Sequence, residues 1–157
     1  MGWDGALHVA VCTHNLDRVR ELLAQGYDIN CRYLCDRAPL HLAAELAIVR
    51  FLMDQGSDVN VQTEKGLTPL HFALKSSSLR VCEFLLTHGA DMAVQTVYGD
   101  TLLHWMISRS FDPGVRSLFD SMITDPRPLF SIRDRSGDTP LRSRQEIPRF
   151  LRVVAPG

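Results

Sequence analysis

The sequence predicts an all-α solenoid of about four helix-turn-helix repeats followed by a shortened C-terminal cap. Leu-His pairs recur along the chain, and their histidines, His8, His41, His71 and His104, are separated by 33, 30 and 33 residues. Each of the first three pairs is followed by an apolar segment that ends at a glycine, and then by an Asp-containing turn. One such unit cannot bury both of its apolar faces, so neighbouring units must stack.

The third unit shows why each element should form. Thr68 is suited to cap a helix that begins at the following proline, where a missing N–H costs nothing. Leu70, Ala73 and Leu74 then lie on one helical face. Gly89 suits the end of the second helix because glycine tolerates a positive φ. The Asp, Asn and Gly residues between units favour projecting turns.

The repeated unit resembles the ankyrin repeat family. Residues 68–73 read Thr-Pro-Leu-His-Phe-Ala and match the signature Thr-Pro-Leu-His-x-Ala at every specified position. Residues 38–43 miss only the Thr, and residues 99–104 and 137–142 match in part. The resemblance implies an ankyrin-repeat solenoid with projecting β-turn loops, in which the signature His bonds the preceding Thr and nearby backbone. We expect a single domain over residues 1–157, with repeats at about 3–32, 33–62, 63–95 and 96–133 and a cap at 134–157.

The second unit is three residues shorter than its neighbours. His41 lies 15 residues before the glycine that ends its unit, whereas this distance is 18 residues from His8 and from His71. Three residues are close to one helical turn, so the first helix should shorten while its apolar positions keep their direction. We expect a notch in the concave face. The chain length, the repeat number and the position of the deletion resemble the ankyrin-type inhibitors of cyclin-dependent kinases; neutral drift is the alternative.

The C-terminal units depart from the pattern in a different way. Residues 122–129 lack the terminal glycine and contain Pro126 and Pro128. Because proline interrupts helices, this stretch predicts an enlarged loop. The last unit, residues 142–154, is short and polar, and a terminal repeat needs a polar outer face. Its second helix is expected to begin at Pro148. Trp3 is expected to cover the first unit.

Composition indicates a soluble, globular protein. The chain has 157 residues, of which 45% are hydrophobic, and a net charge of -1. Its apolar runs are too short to span a membrane, and no signal-peptide pattern is visible at the N-terminus. We therefore expect the four cysteines to be reduced thiols in a cytoplasmic or nuclear protein. Cys31 and Cys35 form the one close pair, which is too few ligands for a structural zinc site.

The sequence contains no catalytic motif. A phosphate-binding Gly-Lys-Ser/Thr loop, Gly-x-Ser-x-Gly and His-Glu-x-x-His are all missing. Equivalent histidines in stacked repeats should be about 10 Å apart, the spacing of packed helices, and so could not share an ion. We expect no enzyme activity, no cofactor and no metal site. The predicted function is a monomeric protein–protein interaction module that acts as an adaptor or stoichiometric inhibitor.

Side chains on the loops and inner helices are the candidates for partner recognition. Aromatic and arginine side chains are over-represented at binding hot spots, which ranks four of them first: Tyr33, Arg37, Tyr98 and Trp105. Trp105 could instead pack between repeats, and the two tyrosines could be harmless exposed rings. The full candidate set is Arg32, Tyr33, Leu34, Arg37, Glu64, Lys65, Leu67, Lys75, Val97, Tyr98, Asp100, Trp105, Arg109, Arg133 and Arg135.

Charge is distributed unevenly along the chain. Residues 1–125 carry a net charge of -5, whereas residues 126–157 carry +4, with arginine as their only basic residue type. This arginine-rich C-terminal segment allows an alternative function as a binder of nucleic acid or of a phosphate ligand, or it is simply a solvated polar cap. The chain as a whole is not basic, which favours a protein partner. A kinase inhibitor, an inhibitor of Rel-type transcription factors and a viral or pathogen mimic all stay open.

Overall fold

The computed structural model describes residues 5–108, 114, 117 and 127–140. Contacts divide the chain into two compact units, Met1–Ala90 and Asp91–Gly157. Every regular element in the described ranges is a helix, and the nearest approach to a strand is an isolated bridge between Tyr33 and Arg37. The all-α prediction is therefore confirmed. None of these helices has the length and apolar character needed to cross a membrane.

The first unit consists of three helix pairs. They are α1 (Ala6–Cys12) with α2 (Leu16–Ala24), α3 (Pro39–Leu42) with α4 (Leu46–Asp54), and α5 (Pro69–Lys75) with α6 (Leu79–Thr87). Helices α1, α3 and α5 pack side by side as an inner layer, and α4 packs against α6 in an outer layer. The predicted stacking of helix pairs is confirmed for these three repeats.

Local sequence sets where the helices begin and end. The side chain of Asn15 accepts the N–H of Arg18 at 2.9 Å and so satisfies one of the first donors of α2. Helix α5 starts with its proline at the first position, as predicted. Just beyond α6, Gly89 has a φ of 92°, which confirms its predicted role as a helix stop.

One apolar face of each helix forms the core of the first unit. The predicted face of α5, Leu70, Ala73 and Leu74, is buried. Fully burying a leucine or isoleucine side chain contributes roughly 1.5–3 kcal/mol, so this apolar core stabilises the stack. The largest buried apolar side chains here are Leu7, Val11, Val19, Leu22, Ile48, Leu52, Leu70, Leu74 and Leu85.

The second repeat has the predicted short inner helix. Helix α3 has 4 residues, whereas α1 and α5 each have 7. The chain leaves the helical conformation at Ala43, with φ -76° and ψ 101°, and re-enters a helix at Leu46. Leu40 and Ile48, on either side of the deletion, stay buried. The loss of about one turn therefore preserves the direction of the apolar positions; the notch stays a prediction.

Four projecting loops share one backbone hydrogen bond, in which an N–H donates to the carbonyl four residues later at 2.8–3.0 Å. We call them loop 1 (residues 33–37), loop 2 (residues 63–67), loop 3 (residues 96–100) and loop 4 (residues 134–138). Loops 1 and 2 belong to the first unit, and loops 3 and 4 to the second. The predicted β-turn loops are confirmed.

The described part of the second unit contains α7 (Leu102–Ser108), α8 (Arg127–Phe130) and loops 3 and 4. The prediction of a loop through residue 129 is wrong, because residues 127–129 belong to α8. Pro128 is the second residue of this helix, where no N–H is needed for an intrahelical bond. Residues 122–126, the end cap at 142–154 and Trp3 lie outside the described residues.

Candidate functional site

Three signature histidines connect a repeat to the loop that follows it. Their Nε2 atoms donate to the carbonyl of the last residue of that loop, at 2.8 Å from His8 to Arg37, 3.0 Å from His41 to Leu67 and 3.2 Å from His104 to Asp138. In His71, Nδ1 accepts a hydrogen bond from the backbone N–H of Thr68 at 3.2 Å and one from the Thr68 hydroxyl at 2.9 Å. The expected structural role of these histidines is confirmed for these bonds.

Burial keeps two of these rings neutral. Burial, together with the smaller effect of the neighbouring His41, lowers the pKa of His71 to about 4. Burial also lowers the pKa of His41 itself. Near pH 7 these rings are therefore fixed hydrogen-bonding groups. The described residues contain no group of three His, Cys, Asp or Glu side chains that could hold a metal ion.

Loop 1 has an unusual backbone. Leu34, Cys35 and Asp36 all have positive φ, at 29°, 61° and 57°. Loops 2 to 4 each use a glycine at the position of Asp36. The left-handed conformation costs a non-glycine residue roughly 1–2 kcal/mol, although less for Asp. Burial does not offset this cost, because all three residues are exposed and Leu34 retains 67% of its accessible surface.

Contacts at the base of loop 1 hold this conformation. Tyr33 and Arg37 exchange two backbone hydrogen bonds of 3.0 Å. The Tyr33 ring lies 5.5 Å from the ring of His8, and the Arg37 guanidinium lies 5.5 Å from the ring centroid of Phe72. The loop is thus fixed at its base to two neighbouring repeats, while its tip projects into solvent.

Arg32 ties loops 1 and 2 together. Its guanidinium donates to the carbonyl of Asp36 at 3.0 Å and to that of Gln62 at 2.8 Å. In the second unit, Gln95 makes the equivalent pair of bonds, to the carbonyls of Gly99 at 2.8 Å and Arg133 at 3.0 Å. A long donor side chain at this register links successive loops.

An apolar row runs along the inner layer of the first unit. It consists of the residues that follow the Leu-His pairs of α1, α3 and α5, namely Val9, Leu42 and Phe72. Val9 is 44% exposed, and the other two are half-buried. The candidate set does not contain these residues, although it contains Trp105, which follows a Leu-His pair in the same way. Their common position after Leu-His was the signal that could have found them.

The structure leaves most of the predicted binding residues accessible. The exposed ones are Arg32, Leu34, Glu64, Lys65, Lys75, Val97, Tyr98, Arg133 and Arg135. The half-buried ones are Tyr33, Arg37, Leu67, Asp100 and Trp105. Arg109 lies outside the described residues. In the first unit, the geometry brings Leu34, Tyr33 and Arg37 together on loop 1.

Loop 3 presents the corresponding tip in the second unit. Val97 and Tyr98 are its exposed side chains, and Tyr98 retains 61% of its accessible surface. The backbone carbonyl of Tyr98 accepts the N–H of Arg135 at 3.0 Å, which joins loops 3 and 4. Burial raises the pKa of Asp100, against the opposing effect of His104. Arg133 is engaged with the carbonyl of Gly137 at 2.7 Å.

Stacked helix pairs joined by projecting loops define a helical-repeat scaffold of the kind that offers an extended binding surface. Residues 7–96 match the family model for ankyrin repeats in three copies. This match covers more than half of the sequence, and the chain belongs to the ankyrin repeat family. Ankyrin repeats generally mediate protein–protein interactions and are generally non-catalytic. No curated protein matches the chain significantly.

Proposed function

We propose that this protein binds a partner protein stoichiometrically, as an adaptor or an inhibitor, through loop 1 and the apolar row of Val9, Leu42 and Phe72. It acts without catalysis and without a cofactor, as a monomer in the cytoplasm or nucleus. The candidate residues on loops 2 to 4 make further contacts with the partner.

The observation that carries this proposal is the exposed leucine on a strained loop. Leu34 is 67% exposed at a loop tip whose three successive residues have positive φ. Strain of this kind persists only where the surrounding structure imposes it, and it concentrates at binding sites. A loop held in one conformation before binding loses less entropy when a partner docks, which strengthens the interaction.

The apolar row extends this surface. Val9 leaves almost half of its area in water, and Phe72 carries the Arg37 guanidinium over its ring. Arginine is one of the residue types enriched at binding hot spots. A partner that covers Leu34 and Val9 would remove apolar surface from water, at about 25 cal/mol for each Å² buried.

Affinity capture with matched variants tests this proposal. The wild-type chain, Val9→Ser/Leu34→Ser and Leu79→Ser would each serve as bait, with quantitative mass spectrometry of the proteins retained. Leu79 is an exposed leucine, at 38%, at the start of the outer helix α6, and it is the matched control. We expect the double variant to lose partners that the wild type and Leu79→Ser both retain. Equal recovery by all three baits would contradict the assignment of loop 1 and the apolar row.

A second bait tests the tip of loop 3. Tyr98→Ala removes a ring that is 61% exposed, whereas the bond that joins loops 3 and 4 uses the backbone carbonyl of Tyr98. We expect weaker retention of the same partners with no change in the melting temperature. Unchanged retention would remove Tyr98 from the proposed surface and leave the proposal for loop 1 intact.

A further inference from the structure

The four cysteines lie in very different environments. Cys12 and Cys35 are exposed, Cys31 is half-buried and Cys82 is buried. Burial raises the pKa of Cys82 to about 12, which keeps this thiol protonated and unreactive at neutral pH. The other three cysteines therefore serve as references for the reactivity of Cys31.

Cys31 is distinguished by a buried imidazole. Its Sγ lies 3.9 Å from Nδ1 of His8, a long contact within the range of sulfur hydrogen bonds. His8 is 2% exposed, and its Nε2 donates to the carbonyl of Arg37 at 2.8 Å. This bond places the ring proton on Nε2 and the lone pair of the neutral ring on Nδ1, the ring nitrogen that the sulfur approaches. The Cys31 thiol thus contacts a base, His8, and the carbonyl of Arg37 orients that base, which is the arrangement found in activated nucleophiles.

The first repeat differs here from the third and fourth. In those repeats a threonine hydroxyl lies 2.9 Å from Nδ1 of the signature histidine, from Thr68 to His71 and from Thr101 to His104. Gly5 occupies the corresponding position of the first repeat, so this hydroxyl is missing. The thiol of Cys31, which comes from the turn after α2, approaches the same ring nitrogen instead.

We propose that Cys31 is a reactive thiol activated by His8 and a site of modification by peroxides and alkylating electrophiles. With hydrogen peroxide, the thiol proton passes to Nδ1 and the thiolate attacks one peroxide oxygen. An S–O bond forms as the O–O bond breaks, and the departing hydroxide takes the proton from Nδ1 to give water. Sulfur is oxidised by two electrons to a sulfenic acid, and one peroxide is reduced.

Modification at Cys31 would reach loop 1 through His8. The same ring holds the carbonyl of Arg37 and lies 5.5 Å from the ring of Tyr33. An oxygen added to Sγ must be accommodated beside this ring, at the base of the loop. The reactivity of Cys31 itself does not depend on the proposed binding function, since it follows from the thiol and the imidazole alone.

Timed alkylation of the full-length chain tests the proposal. Iodoacetamide would be added at pH 7 to native protein and to protein in urea, and each cysteine would be followed by mass spectrometry after trypsin digestion. Trypsin separates Cys31 from Cys35, because Arg32 lies between them. For each cysteine, dividing the alkylation rate in native protein by the rate in urea removes the effect of neighbouring residues in the sequence on thiol reactivity. A typical thiol is only about 3% ionised at pH 7, so activation has room for a rate increase of up to about thirtyfold.

We expect the native-to-unfolded ratio of Cys31 to exceed those of Cys12 and Cys35 by about fivefold or more, although it is less exposed than either. Cys82 should be the slowest of the four. The variant His8→Gln should abolish the excess, since an amide can replace the donor at Nε2 but supplies no base. Peroxide treatment followed by dimedone should label Cys31 first, and Cys31→Ser should lose that label.

Two results would overturn the proposal. One is a ratio for Cys31 no higher than those of Cys12 and Cys35. The other is a high ratio that persists in a folded His8→Gln variant, which would exclude His8 as the activating group. Circular dichroism would establish whether His8→Gln folds; if it does not, the order of rates in the wild type decides the question.

Discussion

The close approach between loops 3 and 4 makes a quantitative prediction about two glycines. Gly99 and Gly137 both have a φ of 81°. A Cβ added at Gly137 meets nothing within 4 Å, whereas one added at Gly99 lies 2.7 Å from the backbone N of Arg135 and 2.9 Å from the Cα and C of Asp134. The variants Gly99→Ala and Gly137→Ala therefore share a backbone penalty and differ in a steric one.

The size of each effect follows from these distances. Alanine at a positive φ costs roughly 1–2 kcal/mol, and both variants should lose this amount of unfolding free energy. A contact under 3.0 Å with backbone atoms cannot be relieved by a side-chain rotation, and forced overlaps typically cost 1–3 kcal/mol more. We expect a loss of about 1–2 kcal/mol for Gly137→Ala and about 2–5 kcal/mol for Gly99→Ala.

Urea unfolding followed by circular dichroism gives the two free energies. Hydrogen exchange adds a local readout, because the N–H of Arg135 donates to the carbonyl of Tyr98 at 3.0 Å and lies at the point of overlap. This amide should lose protection in Gly99→Ala and keep most of it in Gly137→Ala. Equal destabilisation by the two variants, or full protection of the Arg135 amide in Gly99→Ala, would refute the packing of loop 4 against Gly99.

Three further predictions concern the first unit. The folded pKa of His71 is about 4 against an ordinary 6.5, so the stability from its neutral ring is present above pH 6.5 and lost as pH falls towards 4; urea unfolding should give about 2 kcal/mol less at pH 5 than at pH 7. Inserting three residues after Ala44 should lengthen α3 and leave cooperative unfolding intact, because the third repeat already accommodates that length. Asn15→Ala should lower the free energy of unfolding by about 1 kcal/mol because it removes the cap of α2, whereas Asn15→Asp should retain most of the stability.

Each of these has a clear contrary outcome. Equal unfolding free energies at pH 7 and pH 5 would show that the ring of His71 is not desolvated as described. A broad or non-cooperative transition after the insertion would show that the short α3 is required for stacking. Equal stability of Asn15→Ala and the wild type would show that the capping bond of Asn15 does not stabilise the protein. If the notch at the second repeat is used, the insertion should also weaken partner capture, whereas unchanged capture would favour drift.

The repeat architecture could be predicted because its signals are local. The spacing of Leu-His pairs, the proline at a helix start and the glycine after a helix depend on residues within one or two turns. The shortened α3 was predicted for the same reason, since a deletion of three residues corresponds to about one helical turn. Pro128 shows the limit of this reasoning, because proline disfavours the interior of a helix but not its first turn.

The candidate surface was predicted only in part. Loop 1 contains no glycine, so its sequence gives no signal for three residues with positive φ. The exposed Leu34 and Tyr98 were identified from their position in turns. The sequence did not predict that the guanidinium of Arg32 donates to the carbonyl of Gln62, which is 30 residues away in sequence. Long-range bonds of this kind leave no local pattern.

The sequence by itself determined the helical class and the repeat register, because periodicity and capping act over a few residues, and the resemblance to ankyrin repeats implied the role of the signature histidines. Only the tertiary structure decided which side chains remain exposed and what holds loop 1 in a strained conformation. It also placed the Cys31 thiol beside the His8 ring, 23 residues away in sequence. These features arise where repeats meet, and each depends on the stacking of one repeat against the next.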